Sequence, residues 1–148
     1  MVSESLRPAT LPTLVKGVTL HDLPEMHDPR GRLTFCEIGR HVPFEVRRYF
    51  LVFGVDGQAA RGAHAHHTLH QFLTCVHGRC QIIADDGETR QEFVLDSPSL
   101  GLHLPPMVWA TQYQYSPGAV LLVLASGAYD EADYIREYAE FLKLAKRP

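Results

Sequence analysis

The segment RGAHAHHTLHQ, residues 61–71, carries the most informative pattern in this chain. It contains four of the nine histidines and leads directly into the apolar run FLTCV. If residues 63–67 are extended, their side chains alternate between two faces, so His64 and His66 project together while His67 projects to the opposite side. The segment therefore predicts a β-strand that presents a pair of imidazoles on one face.

The sequence on both sides of this strand is also rich in β signals. Short runs of β-branched, aromatic and leucine residues are typical of strands. Such runs lie at residues 32–38, 46–53, 71–76, 80–84, 92–96 and 119–125. Turn residues separate them at close spacing, and Asp86-Gly87 is a strong hairpin signal. Many short strands with frequent turns predict an antiparallel sandwich or barrel rather than a parallel α/β sheet.

The two ends of the chain differ from this β-rich body. Residues 1–12 are polar and interrupted by proline, which predicts a flexible lead-in to a single domain over residues 13–148. In residues 130–147 apolar side chains recur at intervals of three and four, a pattern that predicts a C-terminal α-helix. Asp130 is the expected N-cap of that helix.

Composition excludes several classes of function. The chain has 148 residues, of which 45% are hydrophobic, and a formal net charge of −3. A slightly acidic chain without a basic patch argues against nucleic-acid binding. No apolar run reaches the roughly 18–20 residues that a membrane-spanning helix needs. We therefore expect a cytoplasmic protein that binds neither nucleic acid nor membrane.

A pair of imidazoles on one strand is compatible with three interpretations. The rings could be packing or solvated side chains without a chemical role. They could hold a metal, since neutral imidazole binds zinc, iron, copper and nickel. They could also transfer protons, because the ordinary pKa of histidine, about 6.5, suits acid–base chemistry near neutrality.

The histidine pair, with Gly62, Gln71 and Gly78 around it, resembles the first motif of the cupins. That motif normally has a glutamate where this chain has Gln71, and a second motif normally supplies another histidine. The corresponding stretch here, LPPMVWA at residues 104–110, contains none. Two of the four usual metal ligands are therefore missing, and we expect no metal.

A narrower resemblance covers residues 17–144. The segment RGxHAH, the DPRGxL pattern at residues 28–33 and the ending YDExDYIR at residues 129–136 resemble the sugar 3,4-ketoisomerases. The resemblance implies an all-β, cupin-type jelly roll, a double-stranded antiparallel β-barrel with a C-terminal α-helix. It implies an isomerase without a cofactor that converts dTDP-4-keto-6-deoxyglucose to a dTDP-3-keto-6-deoxyhexose in deoxysugar biosynthesis. It also implies a homodimer that shares N-terminal strands.

The resemblance suggests catalytic roles for three residues. His64 would take the proton from C3 of the sugar, and His66 would move protons at C4 or its oxygen. The sequence alone does not order these two roles. Tyr49 matches the position of an active-site tyrosine and would bind the sugar or relay a proton, although an aromatic residue on a half-buried strand is equally compatible with packing.

Four further residues are expected to bind the substrate. Arg61 and Arg30 would contact the diphosphate, because arginine forms bidentate contacts with phosphate. Gln71 would orient a histidine or contact sugar hydroxyls, and Trp109 would form a wall of the sugar pocket or pack in the core. Arg48 is expected on the surface.

One departure from the family pattern leaves the product open. Members usually carry a basic residue after the tryptophan, whereas this chain has Ala110. The sequence therefore does not choose between a galacto and a gluco product. Two alternatives to the ketoisomerase remain: a metal-dependent cupin enzyme and a cupin that binds sugar nucleotides without catalysis.

Overall fold

The computed structural model describes residues 10–56 and 59–146, and this part of the chain is dominated by β-strands. The strands are β1 (Thr10–Pro12), β2 (Thr19–Asp22), β3 (Glu25–Asp28), β4 (Gly31–Thr34), β5 (Arg48–Val52), β6 (Arg61–His66), β7 (Gln71–His77), β8 (Cys80–Asp85), β9 (Arg90–Leu95), β10 (Leu100–Leu104), β11 (Trp109–Tyr113), β12 (Val120–Ala125) and β13 (Tyr134–Ile135). A short 3₁₀ helix (Glu131–Asp133) precedes β13, and one α-helix, α1 (Tyr138–Ala145), follows it.

Two antiparallel sheets form the body of the molecule. The six-stranded sheet has the order β1-β2-β10-β7-β12-β5, and the five-stranded sheet has the order β13-β6-β11-β8-β9. The hairpin β3–β4 forms a separate two-stranded sheet. Neighbours in both main sheets are often far apart in sequence, as in the pairing of β12 with both β7 and β5. Such crossovers are characteristic of a jelly roll.

The main core lies between the two sheets. Alternate residues of each strand point into it: Leu73 and Cys75 from the six-stranded sheet, and Ile82 and Ala84 from the five-stranded sheet, are completely buried in one cluster. The same period of two made these strands recognisable in the sequence. The arrangement confirms the predicted all-β, cupin-type fold.

The outer face of the five-stranded sheet is covered by the end of the chain. Phe141 of α1 is completely buried against Ala65 of β6 and Ile135 of β13. The small side chain of Ala65 lets these elements approach the strand closely. The position of β6 is thus fixed from its outer side.

The predicted helix over residues 130–147 is wrong in its first half. The α-helix begins at Tyr138, and Asp130 caps the 3₁₀ helix instead, accepting a hydrogen bond from the Ala132 backbone N–H at 3.0 Å. Residues 134–135 pair with β6. The free edge of that strand supplies backbone hydrogen-bond partners, which override the helical spacing of the apolar side chains.

The N-terminal prediction also needs correction where the structure describes the segment. Residues 10–12, expected in the flexible lead-in, form the edge strand β1 against β2. Residues 1–9 of that predicted lead-in lie outside the described part. No helix within residues 10–56 and 59–146 is long and apolar enough to cross a bilayer.

Candidate active site

Strand β6 presents the histidine pair as its alternation predicts. The rings of His64 and His66 lie on the same face, with centroids 4.8 Å apart and planes at 90°. Ala65 between them points to the outer side and is completely buried. The histidines therefore project between the two sheets, while His67, beyond the strand, is exposed.

Two neighbouring strands flank the pair with very different side chains. Ala110 of β11 lies opposite His64 and is buried on the interior face. Tyr134 of β13 lies opposite His66, and the tyrosine ring contacts both imidazoles at centroid distances of 4.8 Å and 4.5 Å. The pair is thus bounded by a methyl group on one side and a phenol ring on the other.

A buried carboxylate holds His66. Nδ1 of His66 lies 3.2 Å from Oδ2 of Asp133. Asp133 also accepts hydrogen bonds from the Thr68 backbone N–H at 2.8 Å, the Thr68 hydroxyl at 2.7 Å and the Leu69 backbone N–H at 3.1 Å. The carboxylate therefore ties β6 to the loop that follows it and fixes the plane of the imidazole.

Both imidazoles are neutral at pH 7. Burial, together with nearby His66 and Arg136, lowers the pKa of His64 to about 4. Burial also lowers the pKa of His66, although the Asp133 carboxylate opposes that shift. A neutral imidazole has one nitrogen that accepts a proton and one that donates, so the pair can move protons in either direction.

A cavity of about 410 Å³ opens beside His66. Arg48, Tyr129 and Tyr134 contribute to its lining. Nε2 of His66 and Nε of Arg48 are both buried and have no hydrogen-bond partner among residues 10–56 and 59–146. Buried polar atoms are nearly always paired in folded proteins, so these two atoms indicate a place where a ligand binds.

The two faces of β5 carry different residues from those that the sequence predicts. Val52 and Phe50 pack on the main core, and the alternation places Arg48 on that interior face, half-buried rather than on the surface. Tyr49 points to the other side and is 68% exposed. The six-stranded sheet therefore separates Tyr49 from the histidines of the same chain, and the catalytic role of Tyr49 stays a prediction.

The predicted substrate-binding residues lie in three different places. Gln71 shares the interior face of β7 with Leu73. Arg61 is the first residue of β6 and is exposed. Arg30 belongs to the hairpin β3–β4, where its side chain is 89% exposed and forms an ion pair with Asp28 at 2.6 Å.

Trp109 does not form a wall of the histidine site. It lies on the outer face of β11, where its ring packs edge-on against Tyr138 of α1 at 5.3 Å and against Phe141 at 5.8 Å. Since neighbouring residues on a strand face opposite sides, Ala110 is the residue of this pair that reaches the site. Trp109 belongs to the outer core.

The structure also bears on the metal alternative. Within the described residues, no group of three or more His, Cys, Asp or Glu side chains is arranged to hold a metal ion. A second histidine group does occur: His70 and His103 are stacked with a 3.0 Å Nδ1–Nε2 contact, and His21 lies beside His103. It packs against Phe44 and Phe72.

Three residues near the histidine pair were not predicted from the sequence to lie in the site. Asp133 and Tyr134 lie in the YDExDYIR ending, which carried the resemblance, but the helical spacing assigned them to a packing helix. Arg48 was assigned to the surface because of its charge. The alternation of Arg48, Phe50 and Val52 is a signal that would have placed it on the interior face.

Comparisons with known proteins identify the family of this chain. The family model described as FdtA, WxcM-like, C-terminal, matches residues 16–146. A TDP-4-oxo-6-deoxy-α-D-glucose-3,4-oxoisomerase from Aneurinibacillus thermoaerophilus is 45% identical over 116 residues, which are 78% of this chain and 84% of that protein.

Two solved structures extend the likeness to the whole fold. The 3,4-ketoisomerase QdtA from Thermoanaerobacterium thermosaccharolyticum, in complex with TDP-4-keto-6-deoxyglucose, is 36% identical with a TM-score of 0.87, covering 90% of this chain and 96% of that one. The TDP-quinovose 3,4-ketoisomerase WlaRB from Campylobacter jejuni is 41% identical with a TM-score of 0.84, covering 87% and 99%. The chain therefore belongs to the FdtA family of sugar 3,4-ketoisomerases.

Proposed function

We propose that this isomerase converts dTDP-4-keto-6-deoxyglucose to a dTDP-3-keto-6-deoxyhexose, a step of deoxysugar biosynthesis. The observation that carries the proposal is the pair of neutral imidazoles, 4.8 Å apart, on the interior face of β6. The 45% identity to an oxoisomerase of this substrate class supports it. The cytoplasmic location inferred from the sequence is part of the same proposal.

The reaction moves a carbonyl group from C4 to C3 without net oxidation. A base removes the C3 proton, the electrons move onto the C4 oxygen, and an enediolate forms. The proton of the 3-hydroxyl then passes to the 4-oxygen, and C4 is protonated to leave a carbonyl at C3. His64 would exchange the carbon-bound protons, and His66 would carry the proton between the two oxygens. Positioned proton transfer of this kind contributes roughly 10²–10⁴-fold in rate.

The substrate would lie along the interior face that His64, Gln71 and Ala110 share. Gln71 would bind sugar hydroxyls, and Ala110 leaves space for the ring beside His64. Arg61, exposed at the start of β6, would contact the diphosphate. The basic residue usual at the Ala110 position is absent, so the proposal does not specify the configuration at C4.

We further propose a homodimer in which the hairpin β3–β4 packs against the neighbouring copy. The hairpin is not paired with either main sheet within the described residues, and Leu33 on it is 56% exposed. Arg30 at its turn would then contact the diphosphate bound to the partner. Sedimentation velocity should show a dimer, and mixing Arg30→Ala with His64→Asn protein should restore part of the activity that each lacks alone. A monomeric protein with full activity would contradict this arrangement.

The main test is incubation with dTDP-4-keto-6-deoxyglucose in D2O, followed by NMR of the sugar protons. We expect a 3-keto sugar with deuterium at C4, and the configuration at that carbon identifies the product. His64→Asn and His66→Asn should each lose at least 100-fold in rate. His67→Asn is the matched control because His67 is exposed and faces away from the site. Nucleotide binding without exchange of the C3 proton would indicate a binding protein without catalysis. Loss of activity with a chelator would favour the metal-dependent alternative.

A further inference from the structure

Resting on the proposed function, we propose that Asp133, His66 and Arg48 work as one unit. Asp133 positions His66 so that Nε2 accepts a proton from a substrate hydroxyl, while Arg48 donates a hydrogen bond to the adjacent oxygen. Neither residue was predicted in the site from the sequence: Asp133 comes from the 3₁₀ helix before β13, and Arg48 comes from β5 of the six-stranded sheet. The cavity beside His66 brings them together.

The hydrogen bonds of Asp133 determine its charge. Burial raises its pKa, but the hydrogen bonds from Thr68 and Leu69 outweigh burial and hold the pKa below its usual value. Asp133 is therefore ionised and can only accept hydrogen bonds. The short contact to His66 consequently requires that Nδ1 carries the hydrogen, and the lone pair of the neutral ring lies on Nε2.

His66 and Arg48 each hold a polar atom that no group in the described part of the chain pairs with. Nε2 of His66 is a buried acceptor, and Nε of Arg48 is a buried donor. Both residues line the same cavity. A donor and an acceptor on residues that line one cavity are complementary to a hydroxyl group next to a carbonyl oxygen, the arrangement at C3 and C4 of the substrate.

Two aromatic rings orient the side chain of Arg48. Its guanidinium lies over the rings of Phe50 at 5.4 Å and Tyr129 at 5.9 Å. Cation–π contacts fix the plane of the group while leaving its N–H bonds free to point elsewhere. A pre-oriented donor stabilises a developing oxyanion more effectively than one that must reorganise during the reaction.

The unit then performs a balanced proton transfer. His66 Nε2 takes the proton from the 3-hydroxyl and returns it to the 4-oxygen, so His66 ends the cycle neutral. Asp133 stabilises the imidazolium that exists between these two transfers. Arg48 donates to the 4-oxygen while that oxygen carries the negative charge. Asp133 acts through His66 and is a positioning residue, whereas Arg48 touches the reacting oxygen.

The two partners affect the pKa of His66 in opposite directions, and this difference supplies the test. Asp133 raises that pKa and Arg48 lowers it. Asp133→Asn should therefore move the acid limb of the kcat/KM profile to lower pH, and Arg48→Met should move it to higher pH. We expect each variant to lose roughly 100-fold in kcat. Asp96→Asn is the control, because Asp96 is exposed after β9 and does not line the cavity, so the substitution should change neither limb nor kcat.

A second readout does not depend on turnover. Nitrogen-15 NMR of the free wild-type protein should show His66 with its hydrogen on Nδ1, and titration of that signal should shift down in Asp133→Asn and up in Arg48→Met. If Asp133→Asn fails to fold, Arg48→Met still tests the unit. Hydrogen on Nε2 of the wild type, or acid limbs and titrations that do not move, would overturn the inference. If the His66 signals titrate as expected but the protein does not turn over the sugar nucleotide, the proposed function is rejected and the link between Asp133, His66 and Arg48 stands.

Discussion

Ala110 and Trp109 are adjacent in sequence, yet they serve opposite sides of β11. The Ala110 methyl lies on the interior face opposite His64, whereas the Trp109 ring packs between the sheet and α1. The strand's alternation alone produces this division. Aromatic character is therefore a poor guide to the histidine site here, because the smaller residue of the pair is the one that lies beside His64.

Substituting Trp109 tests this division at the level of one residue. Trp109→Ala should destabilise the protein by about 3 kcal/mol, because it leaves a cavity between β11 and α1. For a chain of this size, that loss lowers the melting temperature by roughly 10 °C. The KM for the sugar nucleotide should stay unchanged at a temperature where the variant is folded. A large rise in KM with little loss of stability would instead indicate that Trp109 contacts the sugar nucleotide.

At the scale of elements, the sequence was informative where a pattern had one explanation. The alternation in β6 predicted that His64 and His66 share a face, and the runs at 71–76 and 80–84 predicted β7 and β8 closely. The ending at 130–137 was ambiguous, because its apolar spacing fits a helix while its position in the fold offers a strand edge. Pairing between residues distant in sequence decided the outcome, and no local pattern reports such pairing. Asp133 and Tyr134 were missed for that reason.

The start of α1 offers a prediction at the same scale. Glu137 occupies the N-cap position, but its side chain makes no capping hydrogen bond. Glu137→Asp keeps the charge and shortens the side chain to a length that caps well, so it should stabilise the protein by about 0.5–1 kcal/mol. Urea unfolding measures the gain, and turnover should not change. Glu137→Ala is the comparison; equal stability of the Asp and Ala variants would contradict a capping effect.

At the scale of the whole molecule, buried histidines link stability to pH. The pKa is lowered by burial for His21, His64, His66, His70 and His103. In the unfolded chain each of these histidines takes up a proton near pH 6.5. In the native state each stays neutral until the pH falls further. The unfolded state therefore binds more protons, so stability is full above pH 6.5 and falls as the pH drops toward 4.

Urea unfolding at pH 8, 7, 6 and 5 should show this loss directly. The pKa of His103 is lowered to about 4, and this residue is 9% exposed, so it alone contributes a loss on the order of 3 kcal/mol near pH 4. His103→Gln should flatten the dependence of the unfolding free energy on pH, even if it lowers stability at pH 8. A wild-type free energy that is constant from pH 8 to 5 would contradict the buried neutral histidines.

The two unpartnered atoms of His66 and Arg48 have an evolutionary consequence. Among the described residues neither atom has a protein partner, and an unsatisfied buried polar group costs about 1–3 kcal/mol. Apolar replacements at these positions would relieve that cost. Selection for thermal stability alone would therefore favour apolar residues at these two positions. If both residues persist among relatives, selection acts on catalytic activity and not only on stability.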